Sequence, residues 1–272
     1  MDCPHCHSAQ TIRLPRTTGL GYAVFGCTDC GRTFNERTGT PFNYLEVPTD
    51  IVFQVLFCRL RYKLSYRDAA ELFLLRGFDF THETVRDWEE RFTPILADQW
   101  RAKRRGKAGK VWHVDETYVK VKGRWCYLYR AMDQDGNLVD SRLAKQRDMA
   151  AAKAFFEQVQ EIAGQAPDRV VTDGHTPYPR AIVEVLGSAV EHQQVSGAAN
   201  PIEQDHRGIK QRYYPMLGFK AFEAAPRFCR VFEEVRQCLR PRQRMGQFVS
   251  LAQRRAHVLT RVTELHSLFA SA

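Results

Sequence analysis

The chain has 272 residues, enough for one large hydrophobic core and one or two small modules. Its 40 lysines and arginines outnumber its 31 acidic residues, which gives a formal charge of +9 and an isoelectric point near 9.2. This excess favours a polyanionic partner, above all nucleic acid, although charge alone also fits a protein that is merely basic. The sequence has neither an apolar run of membrane-spanning length nor the pattern of a signal peptide. We therefore expect a cytoplasmic protein with reduced thiols and no membrane partner.

Two cysteine pairs near the N-terminus have the same spacing, with 20 residues between the pairs. They are formed by Cys3 with Cys6 and by Cys27 with Cys30. Two such turns can direct four thiolates at one tetrahedral zinc ion. Apolar residues and glycines between Thr11 and Phe25 predict a short hairpin between the pairs. Residues 1–40 are therefore predicted to form a zinc ribbon with one structural zinc ion, and a redox pair is the alternative.

Residues 41–100 have helical periodicity. A first helix is expected from Thr49, a second after Ser65, which can form a capping box with Asp68, and a third after Thr81. A helix, a short glycine-containing turn and a capped helix predict a helix-turn-helix, although an ordinary helical hairpin also fits. In a helix-turn-helix the third helix would present to DNA the side chains of Thr81, His82, Thr84, Arg86 and Arg91.

Two further segments are rich in basic residues. Residues 101–110 contain six cations and no acid, which is typical of a solvated linker that can also lie on phosphates. Residues 221–272 are predicted to be helical. An amphipathic helix from Phe222 to Arg240 is expected to pack on the core or on a partner subunit, and a basic tail from Gln243 is expected to be a solvated helix.

Residues 111–220 have the pattern of an α/β domain. The predicted strands lie at residues 111–121, 125–133, 138–143, 167–173 and 189–195. Asp135-Gly136-Asn137 predicts a hairpin turn, and helices are expected at residues 148–162 and 178–186. Three antiparallel strands, a helix, a strand, a helix and a strand are the order of the ribonuclease-H-like fold. We therefore predict a mixed five-stranded sheet with helices.

Three acids of this domain are expected to meet. Asp115 lies within the first strand, Asp173 ends the fourth, and Glu203 lies in the first turn of the next helix, which Asn200 would cap and Pro201 would open. Neighbouring strands and the helix start can bring the carboxylates to one point. Such a hard-oxygen site without neighbouring cations suits two Mg²⁺ ions, with Mn²⁺ as a substitute. Two ions can activate an attacking hydroxyl and stabilise the leaving oxygen of a phosphodiester.

Each acid also has a structural interpretation. Glu203 can complete a capping box with Asn200, and Asp173 can be a turn residue before a glycine. Asp115 is harder to explain in this way, because an acid buried in a strand without a partner is costly. Its neighbour Glu116 points to the opposite face of the strand and is expected to be a surface acid.

Three motifs carry a resemblance to a known family. They are Trp112-His-Val-Asp-Glu-Thr-Tyr118, Tyr127-Leu-Tyr-Arg-Ala-Met-Asp133 and Ile202-Glu-Gln-Asp-His-Arg-Gly-Ile-Lys210. Together with Ser65-Tyr-Arg-Asp68 and Leu217-Gly-Phe-Lys220, they resemble the DDE transposases of the insertion sequence six family over roughly residues 42–240. The resemblance implies a ribonuclease-H-like core, a helix-turn-helix that reads terminal inverted repeats, Mg²⁺-dependent strand transfer into target DNA, and replicative transposition through a cointegrate.

The resemblance also implies roles for individual residues. By position, the three acids match the catalytic acids of the family. Lys210, seven residues after Glu203, matches the basic residue that follows the glutamate. Because seven residues make two helical turns, Lys210 would lie on the face of Glu203 and could hold a DNA phosphate, with His206 and Arg207 beside it. Since transposition holds two DNA ends together, at least a dimer on DNA is expected, in a prokaryotic cytoplasm and associated with the nucleoid.

Two features depart from the family pattern. Between Asp173 and Glu203 lie 29 residues, fewer than is usual, and Ala199-Asn200 stands where two asparagines are common. A trimmed loop or a decayed copy would explain the shorter spacing. The zinc ribbon occurs in only some relatives, and we interpret it as a module for DNA-end binding or dimer formation. The alternatives to a transposase are a non-catalytic DNA-binding regulator derived from one, and a nuclease that acts on RNA–DNA hybrids.

Overall fold

The computed structural model describes residues 1–195, 201–240 and 248–271. Its strands are β1 (Thr11–Thr17), β2 (Ala23–Cys27), β3 (Thr33–Phe34), β4 (Val111–Val121), β5 (Arg124–Asp133), β6 (Leu138–Ala144), β7 (Arg169–Thr172) and β8 (Glu191–Gln194). Its helices are α1 (Thr49–Arg61), α2 (Tyr66–Leu74), α3 (His82–Arg104), α4 (Met149–Ala163), α5 (Pro177–Leu186), α6 (Pro201–Tyr213), α7 (Ala224–Leu239) and α8 (Leu251–Ala270). The expected cap Asn200 and the start of the basic tail at Gln243 lie outside the described residues. Within those residues, none of the helices has both the length and the apolar character needed to cross a membrane.

The N-terminal module is a small antiparallel sheet of order β1-β2-β3. The predicted hairpin is present as β1 and β2, in which Thr11 lies opposite Cys27. The buried apolar residues of this module are Cys3, Val24, Cys27 and Phe34. A core of this size buries too little apolar surface to stabilise such a module alone.

Helices α1, α2 and α3 form a helical module, and each of them starts where the sequence predicts. Ser65 and Asp68 form the expected capping box at the start of α2. Thr81 caps α3, because its hydroxyl accepts a hydrogen bond from the backbone N–H of Thr84. Between these helices, Gly77 has a φ of +85°, a conformation that favours glycine, and it makes the turn possible.

The first part of the predicted basic linker, residues 101–104, is helical and is not a solvated linker. Helix α3 continues without interruption to Arg104. The Arg101 guanidinium lies 2.6 Å from a carboxylate oxygen of Asp140. Arg104 forms an ion pair with Glu234, and its Nη1 donates to the carbonyl of Leu138 at 2.7 Å. These arginines therefore hold α3 against the next domain instead of lying in solvent.

Residues 111–195 form the predicted mixed five-stranded sheet, of order β6-β5-β4-β7-β8. Strands β6, β5 and β4 are antiparallel neighbours, while β7 pairs in parallel with both β4 and β8. The order and directions of these strands, with α4 between β6 and β7 and α5 between β7 and β8, are those of a ribonuclease-H-like fold. The predicted fold class is confirmed.

Both faces of this sheet are covered. On one face, β4 and β5 pack on α4 and α5 through a core that includes Trp112, Tyr129 and Phe155. On the other face, residues such as Val119 and Leu128 belong to a larger core that also contains side chains of the helical module, α6 and α7. The helical module and the sheet therefore share one core.

The C-terminal helices complete that larger core. Helix α7 contributes Phe228 and Val231, in agreement with the predicted amphipathic helix. Helix α8 is not simply a solvated tail, because Leu265 and Phe269 are fully buried. The Phe269 ring lies 4.7 Å from that of Phe42 and 5.6 Å from that of Phe53, measured between centroids.

Candidate active site

The three predicted acids are positioned by β4, β7 and α6. The parallel register pairs His113 of β4 with Val171 of β7. Continued for two residues, this register places Asp115 beside Asp173, which directly follows β7. Glu203 lies in the first turn of α6. Two strands and a helix start thus bring together acids that are 88 residues apart in sequence at the most (203 − 115).

The acids form two overlapping groups. In one, ligand atoms of Asp115, Glu203 and His206 lie within 4.8 Å of one another. In the other, the same distance limit holds for Asp115, Glu116 and Asp173. Asp115 belongs to both groups and is therefore the acid that two neighbouring cations would share. The short spacing between Asp173 and Glu203 does not prevent the site from assembling.

Burial and like charge act together on Asp115. Its residue is 4% exposed, and burial is the main reason that its pKa rises from the ordinary value to about 8. The negative charge of Glu116 raises the pKa further, and Asp173 and Glu203 add to this effect. The backbone N–H of Glu116, which donates to Asp115 at 2.8 Å, acts in the opposite direction. Without a cation, burial and the neighbouring acids favour the protonated form of this carboxyl group.

Glu116 is not the surface acid that the sequence suggested. It is buried, accepts a hydrogen bond from the hydroxyl of Tyr178 and forms an ion pair with Arg147. Burial raises the pKa of Glu116, while Tyr178 and Arg147 lower it. The strand alternation was correct, but α4 and α5 cover the face to which Glu116 points.

A cation also lies nearer to the acids than expected. The Arg147 guanidinium is 3.6 Å from a carboxylate oxygen of Asp173 and contacts Glu116. Arg147 directly precedes Asp148, whose side chain caps α4, so the predicted helix start also fixes this arginine. The cap at Asp148 therefore indicates in sequence where Arg147 lies relative to α4. The pairing of Arg147 with Glu116 and Asp173 depends on the tertiary fold.

His206 is fully buried, which corrects its predicted contact with DNA. It lies one turn after Glu203 in α6, and its ring faces the acids instead of solvent, with Nδ1 3.7 Å from a Glu203 carboxylate oxygen. Burial is the main cause that lowers the pKa of His206 to about 3, and the charges of Arg130 and Lys210 contribute. The imidazole is therefore neutral at physiological pH.

Arg207 and Lys210 keep the positions that the helical spacing predicts. Arg207 is exposed and Lys210 is half-buried. Both follow the partly exposed Glu203 along α6, by one and two turns. This side of α6 therefore presents an acid and two cations to the surroundings of the site.

A buried ion network that the sequence did not reveal holds α6 in place. Arg130 of β5 lies between Asp205 of α6 and Glu233 of α7, at 2.5 Å and 2.8 Å. Arg236 adds two hydrogen bonds to Asp205. Because Arg130 is also the cross-strand partner of Asp115, the network fixes the helix that carries Glu203 relative to the strand that carries Asp115.

Of the predicted DNA-facing residues, Thr81, His82, Thr84 and Arg86 lie at the N-terminal end of α3, whereas Arg91 lies further along the helix and pairs with Asp87. Arg86 is exposed, while His82 and Thr84 are half-buried. Glu83 lies between the two basic side chains, 3.1 Å from His82 and 2.5 Å from Arg86. The side chains are grouped on one exposed end of the helix, but part of their charge is compensated by Glu83.

The four N-terminal cysteines converge. Their sulfurs lie within 4.8 Å of one another, and the pairs Cys3–Cys30 and Cys6–Cys27 are each 3.6 Å apart. No disulfide joins them. Four thiolates at about 2.3 Å from one zinc ion would be about 3.8 Å apart in a tetrahedron, close to these separations. The remaining cysteines are dispersed in or near the core, as predicted.

Comparison with known proteins gives the family. Residues 109–242 match a family described as a DDE domain, which is named for IS240 transposases. The transposase for the insertion sequence-like element IS431mec of Staphylococcus aureus strain Mu50 is 39% identical over 175 residues, which cover 63% of this chain and 77% of that protein. The chain belongs to the insertion sequence six family of DDE transposases. The transposase of IS257 in transposon Tn4003 from Staphylococcus aureus has the same identity and coverage.

More distant similarities are also found for this transposase. An uncharacterised protein in the transposable element ISH50 of Halobacterium salinarum is 34% identical over 127 residues, which cover 45% of this chain and 38% of that protein. Among solved structures, the HTLV-2 integrase catalytic core domain in complex with magnesium is 16% identical with a TM-score of 0.37, covering 53% of this chain and 95% of that one. The BIV integrase catalytic core domain is 10% identical with a TM-score of 0.34, covering 58% of this chain and 99% of that one.

Proposed function

We propose that this DDE transposase cleaves DNA strands at the ends of its element and transfers the 3′ ends into target DNA, in a replicative reaction that forms a cointegrate. Asp115, Asp173 and Glu203 are the catalytic acids of the proposal. The observation that carries it is the position of Asp115 in two acidic groups at once. Such an arrangement suits a reaction in which two oxygen atoms of one phosphodiester are stabilised at the same time.

The residues present fit divalent cations. The donor set consists of carboxylate oxygens, which Mg²⁺ and Mn²⁺ prefer. Burial and the neighbouring acids raise the pKa of Asp115, and a bound cation would offset both effects. When bound, two such ions would activate an attacking hydroxyl and stabilise the leaving oxygen.

The protein's own residues orient this chemistry. Asp115 is fixed in the central strand β4, where the backbone N–H of Glu116 holds one carboxylate oxygen. The backbone N–H of His175 donates to Asp173 at 3.0 Å and orients the second acid. Arg147 limits the negative charge that Glu116 and Asp173 add to the site. The site is therefore preorganised before DNA binds.

DNA contacts are proposed for two surfaces. On α6, Arg207 and Lys210 would hold phosphates of the strand that reaches Glu203. On α3, His82, Thr84 and Arg86 would contact the terminal inverted repeat, as the exposed end of a recognition helix does. Because two element ends must be held together, we further propose that the transposase acts as at least a dimer on DNA, in the cytoplasm and at the nucleoid.

The proposal is tested with purified protein, a duplex that carries the element end, and a supercoiled target plasmid in Mg²⁺. The wild-type protein is expected to join the 3′ end of the duplex to the plasmid. The Asp115→Asn variant is expected to bind the duplex equally well but to lower joining by at least about a thousandfold, as the loss of one essential group does. End binding without cleavage in Mg²⁺ or Mn²⁺ by the wild type would instead favour a non-catalytic regulator. Cleavage of RNA–DNA hybrids alone would favour a nuclease.

We also propose that Cys3, Cys6, Cys27 and Cys30 hold one structural zinc ion, in a module for DNA-end binding or dimer formation. The sulfur separations and the very small core of the module support this proposal. Protein purified without chelator is expected to contain one zinc per chain by metal analysis. Cys27→Ser is expected to lose the zinc, while substitution of the isolated Cys58 retains it. Wild-type protein without bound zinc would contradict the proposal.

A further inference from the structure

His206 is the one member of the two acidic groups that is not an acid. It is 0% exposed, and neither ring nitrogen has a hydrogen-bond partner among the residues that the structure describes. A buried polar ring without partners costs free energy, and native proteins rarely leave such groups unsatisfied. The ring therefore has room for a ligand that the described residues do not supply.

The position of the ring indicates what that ligand is. Its Nδ1 lies 3.7 Å from Oε2 of Glu203, and Asp115 completes the group within 4.8 Å. Two ligands at about 2.1 Å from one ion are separated by about 3 Å when adjacent and by about 4 Å when opposite each other. The observed separations lie in or near this range. A neutral imidazole offers a lone pair, which is the form that binds cations.

We propose that His206 is a nitrogen ligand of the cation held between Asp115 and Glu203, and that it makes this position selective for Mn²⁺ over Mg²⁺. The inference rests on the proposed two-cation function but goes beyond it, because it assigns different ligands to the two positions. The position at Asp115, Glu116 and Asp173 has only oxygen donors and suits Mg²⁺. An imidazole nitrogen is a softer donor and favours a transition metal ion.

Helix α6 fixes this arrangement. Glu203 and His206 are one helical turn apart and so lie on the same side of α6. Asp205, which directly precedes His206, pairs with Arg130 and Arg236. These contacts prevent the helix from rotating away from β4. The helix therefore presents a carboxylate and an imidazole to Asp115 as a preformed pair.

The test uses the full-length protein, loaded with Mn²⁺ and examined by pulsed electron paramagnetic resonance. The wild-type spectrum is expected to contain coupling from one directly bound ¹⁴N nucleus, and labelling with ¹⁵N-histidine is expected to change it to ¹⁵N coupling. His206→Gln is expected to lose the coupling and to weaken Mn²⁺ binding about tenfold or more, while Mg²⁺ binding changes less. Asp115→Asn is also expected to lose the nitrogen coupling, because the ion that His206 binds is held by Asp115 and Glu203.

The matched control is His266→Gln. His266 also has a ring nitrogen without a partner in the described part of the chain, but it packs against Phe53 in the helical core. This variant is expected to retain the coupling.

If His206→Gln does not fold, the ¹⁵N-labelled wild-type protein still shows whether a histidine nitrogen binds the ion. Absence of nitrogen coupling in Mn²⁺-loaded wild type, or its persistence in a folded His206→Gln variant, would overturn the inference. Failure of strand transfer in a protein that shows the coupling would instead count against the proposed function.

Discussion

At the scale of single residues, the neighbouring charges decide in which direction the pKa of a buried acid shifts. Asp115 and Asp205 are both buried, at 4% and 7% exposure. Asp115 has acids as neighbours, and its pKa rises to about 8. Burial also acts to raise the pKa of Asp205, but hydrogen bonds and charges from Arg236 and Arg130 outweigh it and hold that pKa well below its usual range. A cation bound at Asp115 would therefore relieve repulsion between acids, whereas the charge of Asp205 is already neutralised by arginines.

The depressed pKa of Asp205 predicts a pH-dependent contribution to stability. A carboxylate whose folded pKa lies below its unfolded value of 3.8 stabilises the fold above about pH 4, and this contribution is lost as the pH falls through the folded value. Asp205→Asn is therefore expected to lower the free energy of unfolding by about 3 kcal/mol at pH 7, because it removes one of the two carboxylates that pair with the buried Arg130. The measurement is urea unfolding of variant and wild type between pH 7 and pH 3.

The matched control is Asp87→Asn, which removes an exposed partner of Arg91. Such a surface pair contributes about 0–1 kcal/mol. The difference between Asp205→Asn and the wild type should shrink below about pH 4. A difference that is absent at pH 7, or that stays constant down to pH 3, would show that Asp205 is not stabilised as a charged group.

The positions of single residues could be predicted from the sequence where a local pattern carries the information. Asp115, Asp173 and Glu203 could be singled out because each stands at a recognisable strand or helix position. Glu116 and Arg147 could not be placed, since their contacts depend on which helices cover the sheet. Local spacing put His206 on the same side of α6 as Glu203, but only the packing of α6 on β4 shows that this side is buried.

At the scale of elements, helix α3 is the main connection between the modules. Its N-terminal end carries the proposed DNA contacts, and its C-terminal end is paired with Asp140 and Glu234. The periodicity predicted where α3 begins but not where it ends. The basic residues after Trp100 look like a linker in sequence, because their acidic partners lie 39 and 130 residues further along the chain.

Helix α8 is expected to be required for stability of the helical module. Phe269 is fully buried against Phe42, Phe53 and Phe92. Truncation of a buried phenylalanine to alanine typically costs about 3–5 kcal/mol, and we expect Phe269→Ala to lower the free energy of unfolding by this amount. The measurement is chemical denaturation at pH 7.

Leu259→Ala, on the same helix, is the control, because Leu259 is 70% exposed. Its effect should remain within about 0.5 kcal/mol of the wild type. Equal effects of the two substitutions would mean that α8 does not pack on the helical module in solution.

At the scale of the whole molecule, the order of elements was sufficient to predict the fold, since period-two strands, a hairpin turn and capped helices follow each other along β4 to α5. The way in which the modules join was not predictable, because the shared core and the buried ion pairs involve residues far apart in sequence. This joining has a functional consequence. Because the helical module shares its core with β4 and α6, DNA bound by α3 would have a defined position relative to the acids.

The most direct measurement of the central claim is Mg²⁺-dependent strand transfer by Asp115→Asn, Asp173→Asn and Glu203→Gln, each compared with Glu161→Gln, which removes an exposed acid of α4 outside the site. Each of the three substitutions is expected to abolish joining of the element end to target DNA, while end binding persists and Glu161→Gln retains wild-type joining. Joining at the wild-type rate by any one of the three would contradict the assignment of these acids as the catalytic centre.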